Sequence, residues 1–231
     1  MIQQIDLVVF DLDGTLADSL PDIATAANHA CRSLGLPEHS AEAIKGMIGG
    51  GERQLVKRFL GPGRENLLEE AFKLYFDYYS RHCGDLTRLY PGVKETLPLL
   101  QGKKMAVLSN KRQSLTEAVL RVTGIFPFFT AIRGGSEEMP LKPSSEPLLA
   151  LIKEVQGDPP RTIMVGDKPG DVLAGKGAGT LTLGVTYGYG EPAAVVAAGP
   201  DFLVDRFADI EEIVLEKIHH KDTETQRNTE K

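Results

Sequence analysis

Two carboxylates that stand one residue apart follow a short, largely apolar run near the start of this 231-residue chain. The run from Ile5 to Phe10 predicts a buried strand, because it is partly β-branched and a glycine-containing turn follows it. Asp11 and Asp13 would then leave the carboxyl end of the strand together, where open α/β sheets hold their ligands. Two close carboxylates repel each other and need a cation or a shared proton. By itself, the motif is equally compatible with an ordinary strand end and an Asp-Gly turn.

The order of strand-like and helical segments predicts an α/β fold. Strands alternate with helices in the second half of the chain, which indicates parallel pairing through right-handed crossovers. The further predicted strands are Met105 to Ser109, Phe128 to Ile132, Thr162 to Val165, Thr180 to Val185 and, more weakly, Phe202 to Val204. We therefore expect a doubly wound parallel sheet of the Rossmann type.

Between the first strand and the others, only helical patterns occur. Capping residues and periodic apolar positions predict helices after Ser19, Ser40, the triple glycine at 49–51, and Glu65. We predict an all-helical domain over residues 17–86, an α/β core over residues 1–16 and 87–218, and a disordered polar tail over residues 219–231.

Composition narrows the range of partners. A net charge of −6 argues against nucleic acid and anionic membranes as the main partner. Cys31 and Cys83 have no metal-ligand spacing and fit small buried residues of a reducing compartment. No apolar run approaches the roughly 20 residues that span a bilayer, and no leader pattern precedes the first strand. We expect a cytoplasmic monomer or homodimer that acts on a small molecule.

Polar side chains also end three later segments at the same predicted sheet edge. They are Ser109, Lys142, and the pair Asp167 and Asp171. Taken singly, Ser109 could cap a helix, Lys142 could be a solvated charge, and the two aspartates could be turn and cap residues. Taken together, up to four carboxylates at one edge would be unfavourable without a metal ion and a lysine among them.

This set of groups is chemically sufficient for phosphoryl transfer. Carboxylate oxygens suit Mg²⁺, which keeps several waters and accepts a substrate phosphate as a further ligand. One carboxylate can attack phosphorus, and a second can protonate the leaving oxygen and later deprotonate water. Ser109 can donate a hydrogen bond to a phosphate oxygen, while Lys142 offsets the charge of nucleophile and phosphate.

In order along the chain, four motifs resemble the signature motifs of the haloacid dehalogenase-like (HAD) phosphatases. They are Phe10-Asp11-Leu12-Asp13-Gly14-Thr15, Ser109-Asn110, Lys142-Pro143, and Gly166-Asp167 through Asp171. The helical insert after the first motif is similar to the C1 cap of that family. The resemblance therefore implies an α/β core with an inserted helical cap, and Mg²⁺ as the cofactor.

The same resemblance implies a role for each motif residue. Asp11 would be the nucleophile and a metal ligand, and Asp13 the general acid and base, with its backbone carbonyl on the metal. Asp167 would ligate Mg²⁺ directly, and Asp171 would support the site. The phosphoryl group and substrate would be held by Ser109, Lys142, Thr15 and Asn110.

Closer similarity points to the bacterial phosphoglycolate phosphatases, which convert 2-phosphoglycolate to glycolate and phosphate. The residues that carry it are Asp18 to Ile23, Ile48-Gly49-Gly50, Tyr90 to Val93, and Val185 to Gly190. In the cap, the glycine loop with Gly50 would approach the substrate, and Arg53 or Lys45 would pair with its carboxylate. Alternatively, the loop is only a flexible turn and both cations face water.

Two departures from the family pattern concern the substrate. Lys168 stands where many relatives have a small polar residue, so it either points outward or adds a cation beside the metal. The segment Lys142 to Pro147 also differs, because many relatives have a proline at the third position or a different acidic spacing. Rival interpretations are a sugar phosphatase, a pyrophosphatase, a β-phosphoglucomutase-like enzyme, and a non-catalytic HAD-like binding protein.

Overall fold

The computed structural model describes residues 2–136, 138–215 and 218–219. In chain order, the strands are β1 (Ile2–Gln3), β2 (Leu7–Phe10), β3 (Ala17–Asp18), β4 (Arg88–Leu89), β5 (Lys104–Arg112), β6 (Ala131–Gly135), β7 (Thr162–Gly166), β8 (Leu181–Val185), β9 (Phe202–Val204) and β10 (Ile218–His219). The α-helices are α1 (Leu20–Ser33), α2 (Ala41–Lys45), α3 (Gly51–Leu60), α4 (Leu68–His82), α5 (Val93–Thr96), α6 (Gln113–Val122), α7 (Glu146–Glu154), α8 (Pro169–Ala178), α9 (Pro192–Ala197) and α10 (Ile210–Leu215). The predicted tail lies outside the described residues apart from His219, which pairs in β10 with β1.

A six-stranded parallel sheet forms the centre of the fold, with the strand order β6-β5-β2-β7-β8-β9. Alternate residues of β2 face opposite sides: Val8 and Phe10 join one apolar cluster, and Leu7 and Val9 join another. Strand β2 is buried on both faces because helices cover both sides of a parallel sheet. The predicted doubly wound α/β fold is confirmed. The direction of winding reverses around β2, so a ligand site is expected at its carboxyl end.

Two strands differ from their predicted bounds by three residues, and the other predicted strands differ by at most two. The segment Phe126–Phe128 forms a 3₁₀ turn, and the strand predicted from Phe128 begins at Ala131 instead. Pro127 explains the shift, because proline has no N–H for a sheet ladder and its fixed φ suits the first turn of a helix. Strand β5 continues to Arg112, three residues beyond its predicted end.

Helices α1 to α4 form the helical cap, which the chain enters through β3 and leaves through β4. These two strands pair antiparallel, so the two crossings between sheet and cap lie side by side. Asp22 at the start of α1 accepts hydrogen bonds from the backbone N–H groups of Leu86 and Thr87, which precede β4. This arrangement supports the predicted division at residues 17 and 86, which stays a prediction. Among the described residues, no helix combines the length and apolarity that crossing a bilayer requires.

Candidate active site

A cleft of about 500 Å³ lies between the carboxyl ends of the sheet strands and the cap. We call it the central cleft. Of the residues predicted for the site, those that line it are Asp11, Asp13, Lys45, Ser109, Asn110, Lys142 and Asp171. The parallel sheet explains this convergence, because β2, β5 and β7 are neighbours and end at the same edge.

Lys142 is the central cation of the cleft. Its Nζ lies 2.9 Å from Asp11 Oδ1 and 2.7 Å from Asp171 Oδ1, and it donates a 2.7 Å hydrogen bond to the carbonyl oxygen of Leu108. Burial by itself lowers the pKa of Lys142, but the two carboxylates outweigh burial and raise the pKa above its usual value. The three partners occupy all three ammonium donors, so Lys142 is a fixed positive charge.

Three buried carboxylates converge beside Lys142. One oxygen each from Asp11, Asp167 and Asp171 lies within 4.8 Å of the others. An all-oxygen set of this kind fits a hard divalent cation such as Mg²⁺. Asp13 does not contribute its carboxylate to this group, consistent with a separate role for that side chain.

Asp167 is oriented by backbone groups from the loop after β8. Its Oδ2 accepts hydrogen bonds from the N–H groups of Tyr189 at 2.7 Å and Gly190 at 3.0 Å. A Cβ on Gly190 would lie 2.0 Å from the Asp167 carbonyl oxygen, so only glycine allows this approach. Burial, followed by the charges of Asp11 and Asp171, raises the pKa of Asp167 to about 7. A bound cation would relieve that repulsion.

Asp171 serves two purposes. Its Oδ2 accepts the Lys168 N–H at 3.0 Å and so caps α8, while its Oδ1 pairs with Lys142. Burial raises the pKa of Asp171, and Lys142 opposes that shift. Asp171 therefore both caps α8 and lies among the carboxylates beside Lys142.

The sequence analysis missed two partners of Asp13. Lys111 Nζ lies 2.9 Å from Asp13 Oδ1, and the Ser19 hydroxyl donates a hydrogen bond to the same oxygen. Lys111 also donates a 2.6 Å hydrogen bond to the hydroxyl of Tyr79 in α4. The closeness of Lys111 to Ser109 in the sequence could have identified it, since both are buried and stand two residues apart on β5.

Two predicted substrate contacts have internal partners. Thr15 is fully buried, and its hydroxyl donates to Asp167 Oδ1 over 3.4 Å, behind the carboxylate group rather than in the cleft lining. Asn110 donates from Nδ2 to the carbonyl oxygens of Gly49, at 2.8 Å, and Lys142, at 2.9 Å. Asn110 thus joins the third motif to the glycine loop of the cap.

The cap candidates are not brought together. Gly50 precedes α3 and is not part of the cleft lining, whereas Gly49 and Gly51 are. Arg53 also lies away from the lining and pairs through both terminal nitrogens with the exposed carboxylate of Glu69. Lys45 lines the cleft with a side chain that is 29% exposed, and its Nζ lies 3.9 Å from Glu42.

Lys168 does not simply point outward: it lines the central cleft, and its charge opposes the burial that raises the pKa of Asp167. Its Nζ donates a 2.9 Å hydrogen bond to the carbonyl oxygen of Ile48, so the side chain spans from the core to the cap. A second cap contact, Glu52, was missed by the sequence analysis. The buried Glu52 carboxylate accepts the backbone N–H of Arg112 at 3.0 and 3.1 Å. Burial raises the pKa of Glu52, while Lys111 and the Arg112 N–H oppose that shift.

Comparison with known proteins agrees with this geometry. A family profile described as haloacid dehalogenase-like hydrolase matches residues 8–185. A phosphoglycolate phosphatase of Vibrio parahaemolyticus is 37% identical over 92% of this chain and 97% of its own length. One of Neisseria meningitidis is 36% identical over 91% and 94%. A crystal structure described as a predicted phosphoglycolate phosphatase from Haemophilus somnus superposes with a TM-score of 0.86 at 33% identity, over 92% of this chain and 99% of that one.

Fold and site together define a phosphatase built on a doubly wound sheet. The chain belongs to the haloacid dehalogenase-like hydrolases. Within that family it is a phosphoric monoester hydrolase that resembles the phosphoglycolate phosphatases and acts on a small phosphorylated substrate.

Proposed function

We propose that the chain hydrolyses 2-phosphoglycolate to glycolate and inorganic phosphate through an aspartyl-phosphate on Asp11. The observation that carries the proposal is that the carboxylates of Asp11 and Asp13 have different partners. Asp11 shares Lys142 with Asp171, and both belong to the group of three converging carboxylates, whereas Asp13 pairs with Ser19 and Lys111. This difference in partners supports attack on phosphorus by Asp11 and proton transfer by Asp13.

In the first step, an oxygen of Asp11 bonds to phosphorus as the bond to the ester oxygen breaks, and Asp13 gives its proton to that oxygen. In the second step, Asp13 takes a proton from water, whose oxygen attacks the aspartyl-phosphate and restores the Asp11 carboxylate. Ser109 would donate a hydrogen bond to a phosphoryl oxygen, and the fixed charge of Lys142 beside Asp11 would offset the negative charge of the phosphoryl group. Asp11, Asp167 and Asp171 would hold Mg²⁺, which supplies charge neutralisation for the phosphoryl group.

A panel of phosphate esters assayed with Mg²⁺ tests the substrate. The panel contains 2-phosphoglycolate, ethyl phosphate, glucose 1-phosphate and pyrophosphate, and we expect the first to have the highest kcat/KM. A higher kcat/KM for a sugar phosphate or for pyrophosphate would contradict the proposed substrate and leave the reaction class intact.

Chelation tests the metal separately. Dialysis against EDTA should reduce turnover of every ester to background, and added Mg²⁺ should restore it. Mg²⁺ at about 100 times its Kd should also stabilise the fold by about 2.7 kcal/mol, since only the folded chain gathers the three carboxylates. Turnover that survives thorough chelation would exclude the metal assignment.

The proposal also covers the cellular compartment and the oligomeric state of the protein. The free, buried Cys31 and Cys83 support a reducing cytoplasm as the place of action. We propose a monomer or a homodimer, which light scattering on the purified chain distinguishes.

A further inference from the structure

Lys111 is a buried cation of the central cleft that the phosphoryl chemistry does not use. It lines the cleft and is 5% exposed. It stands two residues beyond Ser109 on β5, and its backbone N–H donates a 3.3 Å hydrogen bond to the Ser109 hydroxyl. Lys111 therefore lies next to the hydroxyl that is proposed to hold phosphate.

The partners of Lys111 come from both parts of the molecule. Asp13 belongs to the core, and Tyr79 belongs to the cap helix α4. Burial lowers the pKa of Lys111, but Asp13 in particular, together with Tyr75 and Glu52, raises it above the usual value. Lys111 thus carries a positive charge at the junction of core and cap.

The stability of the fold does not explain why the charge of Lys111 is buried. Burying an ion pair costs desolvation that its attraction barely repays, so such a pair is weak support for a fold. A cation beside the phosphoryl position is useful, however, to a substrate with a second anionic group.

The other cations near the cleft differ from Lys111 in their partners or in their burial. Lys142 holds two carboxylates and a carbonyl oxygen, and Lys168 donates to the Ile48 carbonyl. Lys45 lies at the rim, and Arg53 pairs with Glu69 outside the cleft lining. Among the cleft-lining cations that the structure describes, Lys111 is the one that is both deeply buried and adjacent to the leaving-group side of the site.

Resting on the proposed function, we infer that Lys111 is the specificity-determining residue that binds the carboxylate of the substrate. The incoming carboxylate replaces Asp13 as its partner, with the Tyr79 hydroxyl keeping the ammonium in place. Recognition of a phosphorylated short-chain acid then depends on a residue of β5 rather than on Arg53 or Lys45 of the cap.

The test is a ratio of two kcat/KM values, for 2-phosphoglycolate over ethyl phosphate, which has a methyl group in place of the carboxylate. Wild type should show a ratio of about 10 or more. Lys111→Met should lower that ratio about 10- to 100-fold, the value of one charge-assisted hydrogen bond. The matched variants Lys45→Met and Arg53→Met should keep the ratio within about twofold of wild type.

A structural role for Lys111 would lower both kcat/KM values together and leave their ratio unchanged. If Lys111→Met does not fold, Lys111→Gln keeps a donor for Asp13 without the charge, and the same loss of ratio is expected. A retained ratio in the folded variant, or a loss in Lys45→Met or Arg53→Met instead, would overturn the inference. A wild-type ratio near one would contradict the proposed substrate itself, which separates the two failures.

Discussion

The cleft contains two lysine–carboxylate pairs with the same 2.9 Å separation, yet their surroundings differ. Lys142 and Asp11 belong to the core, and every further partner of Lys142 is a core residue. Lys111 and Asp13 also belong to the core, but the remaining partner of Lys111 is Tyr79 of the cap. The first pair is held in one arrangement, whereas the second depends on where the cap lies.

Under the proposed function, this difference separates catalysis of phosphoryl transfer by the first pair from recognition of the rest of the substrate by the second. A charge fixed by three core partners can serve any phosphoryl group, because nothing about it changes with the rest of the substrate. A charge shared with the cap can respond to the leaving group, because that part of the substrate lies between core and cap.

Removing the proposed nucleophile, Asp11, should have the largest effect. Asp11→Asn should reduce kcat about 10⁴-fold or more on every ester, since an amide oxygen cannot form the covalent intermediate. The measurement is steady-state hydrolysis of 2-phosphoglycolate and ethyl phosphate, with thermal unfolding as a check of the fold. The exposed Asp205→Asn serves as the control, and undiminished activity in Asp11→Asn would exclude the mechanism.

Replacing Lys142 should test the comparison between the two lysine–carboxylate pairs. Lys142→Met should lower kcat by about 10²- to 10³-fold for both 2-phosphoglycolate and ethyl phosphate, because both lose the charge beside the phosphoryl group. The ratio of their kcat/KM values should stay near that of wild type, in contrast to the expected behaviour of Lys111→Met. If Lys142→Met changed the ratio tenfold, the separation of catalysis from substrate recognition would be wrong.

A smaller effect is expected from the contact between core and cap. Lys168→Met removes the hydrogen bond to the Ile48 carbonyl and should raise KM about two- to tenfold, because closing the cap loses one hydrogen bond. The matched control is Lys176→Met, which removes a 2.8 Å bond from the same kind of donor to the Ala198 carbonyl within the core. Equal KM values for both variants would show that the bond to Ile48 does not hold the cap.

The smallest effect concerns the pH dependence of stability through Glu52. Because burial raises its folded-state pKa, the folded chain binds this proton more tightly than the unfolded chain does. The contribution of Glu52 is thus complete below its unfolded pKa of about 4.3 and is lost as pH rises through the raised value. Glu52→Gln keeps an acceptor for the Arg112 N–H and does not titrate.

Thermal unfolding of wild type and Glu52→Gln at pH 5 and pH 8 measures this effect. We expect wild type to lose stability relative to the variant at pH 8. As a control, the exposed Glu70→Gln should differ from wild type in stability by the same amount at both pH values. If Glu52→Gln behaved in the same way, the Glu52 carboxyl would not titrate in this range and the prediction would be wrong.

The site residues that lie at the carboxyl ends of sheet strands could be predicted from the sequence. Asp11, Ser109 and Asp167 follow apolar runs whose parallel pairing brings their carboxyl ends to one edge, so their convergence follows from the order of segments. The strand predicted from Phe128 was displaced to Ala131, because a short apolar run does not reveal the turn that Pro127 begins.

Cap contacts could not be predicted in the same way. Arg53 was expected to face the substrate, yet it pairs with Glu69, sixteen residues away on the neighbouring helix segment. Helix periodicity gives the face of a residue on its own helix, but not which face of the next helix it meets. The pairing of Lys111 with Tyr79 depends on the same unknown packing angle.

The sequence alone therefore determined the α/β class, the position of the insert and the chemical groups at the sheet edge. Those features depend on local patterns and on the rule that parallel strands end together. Only the tertiary structure decided which lysine serves which carboxylate, and that Lys111, rather than a cap cation, lies deepest beside Asp13. The physical reason is that ion pairing depends on distances of a few ångströms, and the packing of the cap on the core sets these distances.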